Sequence, residues 1–196
     1  MASQAVHDPG RLSLRVSTLT SSLARVAEDA KQTFGSLTAD QLNWTPAPKR
    51  WSIAQCCDHV IRTHSKYFPI FVRLAGGDAR MSWWERTSPF SGWLGRVFIS
   101  MLDPENPRKR KTTPNAMPSA SHLGADIIDR YAAHQAEMIA LVQRLPATLD
   151  PSVIVTSPLL SVVTYSLDDV LVFLGLHARR HFDQARRVME NEQFPR

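Results

Sequence analysis

His177 and His181 stand four residues apart in a helical stretch near the end of the chain, which sets them about 40° apart on one face. Two imidazoles spaced this way can reach one cation, as in other helical His-x-x-x-His sites. Seven histidines scattered through 196 residues give roughly 0.25 such pairs by chance, so the spacing alone is no motif. The surroundings add weight. Val170, Phe173, Leu174, His177, His181, Gln184 and Val188 follow one another at helical spacing, while Arg179, Arg180, Arg186 and Arg187 fall elsewhere. Histidines on a core-facing stripe must be neutral and hydrogen-bonded, or must bind something. A divalent ion with an open position normally takes three protein ligands. His59 and His64 in the second helix and His134 in the third are the candidates for the third. Periodicity does not choose His59, because His64 sits nearer the centre of that helix's apolar stripe.

Four long elements must position these groups. The first reads from Leu12 through Val16, Leu19, Leu23, Val26 and Ala30 to Gly35. A single capped turn is predicted at Thr38 to Leu42. The second helix opens at the N-cap Ser52 and runs to Gly76-Gly77. The third runs from about Ser121 to Leu145, before Pro146. The fourth opens on the box Ser166-Leu167-Asp168-Asp169 and continues to about Asn191. Two β-like runs, Val153-Ile154-Val155 and Val162-Val163, precede it. Four amphipathic helices make an all-α four-helix bundle the simplest burial solution, with a long crossover between helices 2 and 3. That crossover, 77–120, carries Trp83, Trp84, Trp93 and the basic run Arg108 to Lys111, with a short helix expected only at Gly92 to Leu102. A connection this long reads as a lid or pocket wall.

Length and composition set the outer bounds. With 196 residues, 43% hydrophobic and 21% charged, a single domain over 1–196 is expected, its core at about 10–191. The net charge of +5 permits an acidic partner without demanding one. The basic run lacks a reading helix and interleaved aromatics, so no nucleic acid is expected. No signal-peptide run and no membrane span is visible, and the adjacent Cys56 and Cys57 offer no disulfide framework. A cytoplasmic location is expected. Cys56 lies one turn before His59 and reads foremost as a small buried hydrophobe within reach of the site.

The segment Trp44-Thr45-Pro46-Ala47-Pro48-Lys49-Arg50-Trp51-Ser52-Ile53-Ala54-Gln55-Cys56-Cys57-Asp58-His59-Val60 resembles the start of the second helix in the DinB-like (DinB/YfiT) superfamily. There a Pro-rich turn leads to Trp-Ser, and a histidine follows seven residues after the serine. The run His177-Ala178-Arg179-Arg180-His181-Phe182-Asp183-Gln184 is similar to that family's second motif, in which Gln follows the His pair. The four-helix plan with its long crossover matches across nearly the whole chain. Cys56-Cys57 departs from the usual aliphatic or alanine positions, and the first eight residues have no counterpart.

By its place on the histidine stripe, Gln184 reads either as a partner that orients an imidazole or as an ordinary inter-helix hydrogen-bonding residue, and Cys56 as a residue able to line the pocket. The resemblance implies a metal triad of His59, His177 and His181. No acid–base residue is named, because no carboxylate falls on the histidine face. It also implies a metal-dependent enzyme carrying zinc, nickel or iron, since an imidazole site accepts all three. Thiol S-transfer, with a low-molecular-weight thiol as co-substrate, is preferred. The alternatives are a hydrolase using metal-bound hydroxide and a non-catalytic, stress-related binding bundle. Partners expected are a small-molecule substrate and, as an option, a second copy of the chain.

Overall fold

The computed structural model describes residues 9–88 and 122–196. Its long helices are α1 (Pro9–Phe34), α3 (Ile53–Ser65), α6 (Ile127–Val142) and α7 (Leu167–Met189). Shorter helices are α2 (Ala39–Asn43), α4 (Phe68–Ala75) and α5 (Trp83–Thr87), and a two-stranded antiparallel sheet pairs β1 (Ile154–Thr156) with β2 (Thr164–Ser166). Each of α1 and α3 packs against both α6 and α7, which is the all-α bundle expected. Leu23 and Phe34 of α1, Ile53 of α3, Met138 of α6, and Leu171 and Leu174 of α7 lie fully buried in one shared core.

Local chemistry fixes the helix ends. At Gly35 an added Cβ would sit 2.5 Å from the Lys31 carbonyl oxygen, so the close of α1 requires glycine. At the start of α3 the Gln55 backbone N–H donates to Ser52 Oγ, and the Ser52 N–H donates to Gln55 Oε1, both at 3.1 Å. A reciprocal box of the same kind, Ser166 with Asp169, opens α7. Ser52 is completely buried, and its box fixes where α3 begins and therefore the rotation of His59. Ser52→Ala is expected to cost about 1 kcal/mol, seen as a lower urea midpoint with an unchanged slope.

The first turns of α1 and α7 are tied together by Asp168, whose carboxylate accepts from Arg11 Nη2 and Arg15 Nε at 2.7 Å each. Burial alone would raise the Asp168 pKa, but the hydrogen bonds from the two guanidinium groups outweigh it and bring it down. The backbone N–H groups of Leu167 and Asp168 donate to the carbonyls of Val153 and Pro151. The segment leading into β1 thereby satisfies donors that the start of a helix leaves open.

Several sequence expectations are corrected. The second helix breaks at Lys66–Tyr67 into α3 and α4, because Pro69 has no N–H to continue the ladder. The third helix begins at Ile127, not Ser121. The N–H and C=O of Leu123 are both held by the Asn43 carboxamide at 2.8 Å, so they are lost to a helix. It ends at Val142, three residues early, where i→i−3 bonds tighten the chain before Pro146. The second strand is Thr164–Ser166, not Val162-Val163.

The crossover also holds α5, which opens on an unrecognised Ser82/Glu85 box. Its Glu85 carboxylate accepts from the backbone N–H and Oγ1 of Thr156, which joins the crossover to β1. The expected helix at Gly92 to Leu102, Trp93 and the basic run Arg108 to Lys111 lie outside the described residues. No helix among the described residues is long and apolar enough to cross a membrane.

Candidate metal centre

His59 lies two helical turns into α3, and His177 and His181 lie on the face of α7 that meets it. Nε2 of His59 is 3.1 Å from Nε2 of His177. One ligand atom from each of His59, His177 and His181 falls in a cluster whose members all lie within 4.8 Å of one another. Nitrogens held about 2.1 Å from a tetrahedral ion stand about 3.4 Å apart, so small rotations of the rings would close the triad on one cation. The triad that the resemblance implied therefore comes together in space.

The walls are aromatic. The Trp51 ring centroid is 4.8 Å from that of His59 and 5.7 Å from that of His181, which it stacks upon. Phe173, one turn before His177, stacks on it at 5.2 Å. Neither wall was read from the sequence as part of the site, although the Phe173–His177 spacing of one turn was available as a signal.

Burial favours the neutral form of His177 and His181. His59 and His177 are only 4% and 5% exposed, and His181 is half-buried. Burial is the chief cause that holds the His177 pKa well below its ordinary value, with His181, His64, His59 and Arg180 adding repulsion. His181 is lowered in the same way, by burial first and then by His59, Arg180 and His64. The Gln184 side chain lies close enough to oppose that shift, yet Nδ1 of His181 is buried without a hydrogen-bond partner of ordinary geometry. Three adjacent imidazoles, one with an orphaned nitrogen and with no carboxylate in the cluster, suit a divalent cation of intermediate softness.

The other candidates have separate places. Cys56 is buried and lines a small cavity beside His181, together with Cys57 and Tyr131, but it is not in the ligand cluster. Burial raises the Cys56 thiol well above its ordinary pKa and pushes Cys57 up to about 12, so both stay protonated and behave as apolar groups. His64 is fully buried, with Nε2 3.2 Å from Nδ1 of His177, a contact that periodicity had not suggested. His134 stacks on Phe68 at 5.2 Å and its Nε2 meets Ser65 Oγ at 3.0 Å. Burial lowers its pKa to about 4. Trp84 is half-buried, whereas Trp83, expected at a pocket wall, is 75% exposed.

The family model of the DinB superfamily matches residues 22–185. The matched span contains all three histidines and the whole crossover. No curated protein and no solved structure matches the chain.

Proposed function

The chain belongs to the DinB superfamily, and from that premise we propose that it is a metal-dependent enzyme of the thiol S-transferase type, with His59, His177 and His181 holding one divalent cation. The observation that carries this reading is the convergence of three imidazoles from α3 and α7 on one point, with 3.1 Å between the first two nitrogens. Such a cation supplies Lewis acidity, which lowers the pKa of a thiol or water that reaches it. Zinc, nickel and iron all suit the donor set.

The protein's own part is to bind, orient and exclude water. Neutral ligands leave the double positive charge uncompensated, which favours an anionic partner such as a thiolate. Trp51 and Phe173 fix the ring planes and present apolar surface around them. A thiol loses its proton near neutral pH with little help. Hydrolysis of an amide, in contrast, needs a group to protonate the leaving nitrogen. Thiol transfer asks for no such group, so it is the chemistry that three imidazoles and a cation could carry on their own.

The test is a rate assay. Zinc-loaded or nickel-loaded protein is incubated with a soluble electrophile and, in turn, bacillithiol, mycothiol, glutathione or no thiol. Conjugate formation is expected to exceed the uncatalysed rate only with one of the thiols and only with His177 intact. Acceleration without thiol would establish the hydrolase instead. No acceleration with any thiol, despite a loaded site, would favour a binding bundle.

A further inference from the structure

His177 is approached from both sides of its ring. His59 Nε2 lies 3.1 Å from its Nε2, and His64 Nε2 lies 3.2 Å from its Nδ1. A neutral imidazole carries one proton, and the protonated nitrogen has no lone pair to give a cation. For His177 to ligate through Nε2, toward His59, its proton must sit on Nδ1. That N–H then donates to His64 Nε2. His64 accepts only if its own proton is on Nδ1, a nitrogen that is buried and has no other partner in the described structure.

We infer that His64 is a positioning residue that holds His177 in the tautomer and ring orientation needed for metal binding. The inference rests on the three-histidine reading of the site. Histidine ligands generally require such a partner on the far nitrogen, and the partner is often a carboxylate or a backbone carbonyl. A fully buried imidazole does the same work without adding charge. The cation therefore keeps its full charge for the exogenous ligand, which suits a site meant to attract an anion. No such role follows from helical periodicity, because His64 stands five residues after His59 and lies off its face.

The experiment measures zinc affinity of the full chain by competition with a chelating dye, in wild type, His64→Phe and His64→Gln. Phenylalanine keeps the ring volume and removes the acceptor, whereas the carboxamide oxygen of glutamine reaches about as far as Nε2. His64→Phe is expected to bind zinc roughly 10- to 100-fold more weakly, and His64→Gln to recover most of that loss. Equal affinity in His64→Phe and wild type overturns the inference, as does an equal loss in both variants, which would mark a packing role. If wild type itself takes up no zinc, the metal reading falls and this inference with it. A second readout needs no variant. In zinc-loaded wild type labelled with ¹⁵N-histidine, His64 and His177 are both expected as Nδ1–H tautomers. An Nε2–H form of either ring overturns the inference.

Discussion

Replacing His177 with alanine is expected to leave the protein without bound divalent cation, with the affinity for zinc falling by more than about 100-fold. His177 is the hub of the cluster. It meets His59 through one nitrogen and His64 through the other, and it touches His181 with ring centroids 4.6 Å apart. Its loss removes one ligand and the packing that orients two more rings. Protein purified without an affinity tag, dialysed against metal-free buffer and assayed by mass spectrometry checks this. His122→Ala is the control, because His122 is exposed and is not a member of the ligand cluster. The fold should survive the His177 change, since the core is built mainly from apolar residues of all four long helices. Circular dichroism before and after verifies that point.

Acidifying the metal-free protein from pH 7 toward pH 4 is expected to unfold it, and zinc is expected to delay the transition. His64, His134, His177 and His181 all have folded-state pKa values below the ordinary 6.5, with burial the chief cause in each case. The unfolded chain therefore binds more protons than the folded chain once the pH drops below about 6.5. Stability is fully present above that value and is lost as the pH falls toward the folded pKa values, which for His134 is about 4. Each such group contributes a slope of up to about 1.4 kcal/mol per pH unit inside its window. Several acting together are large beside a typical stability of about 5–15 kcal/mol. A bound cation blocks protonation of its ligands, so the acid midpoint should move to lower pH with saturating zinc. A circular dichroism titration with and without zinc reads both effects. A metal-free protein whose stability is flat or rising on acidification to pH 5 would contradict the assignment of these histidines as buried and neutral.

The sequence carried most of the fold because its long helices have complete signals. The α1 stripe from Leu12 to Phe34, the Ser52 cap and the Ser166 box each appear in the structure where the residues indicated. What escaped was decided by groups far apart in the chain or by backbone chemistry that an apolar stripe hides. Pro69 sits inside an unbroken hydrophobic pattern and still divides α3 from α4. Asn43 delays the start of α6 through two bonds to Leu123, a pairing that no local pattern reveals.

The site was legible in a different proportion. The His177/His181 pair came from spacing, but the choice of His59 over His64 came only from the resemblance. Tertiary geometry explains why. His59 faces α7 from the edge of the apolar stripe, where two helices meet, whereas His64 at the stripe's centre is turned to the outer nitrogen of His177. Helical angles locate a face and say nothing of which neighbouring helix that face meets. Trp51 was visible only as part of a motif, and its place over His59 and His181 follows from the turn before the Ser52 cap.

The central claim is that imidazoles from α3 and α7 together hold one divalent ion. X-ray absorption at the zinc edge, on tag-free protein loaded with one equivalent, tests it directly. The account predicts a tight, stoichiometric complex whose first shell shows about three imidazole nitrogens at roughly 2.0–2.1 Å, plus one lighter or exchangeable ligand. A shell with sulfur from Cys56, a shell of oxygens with fewer than two imidazoles, or no retained zinc at all would contradict it.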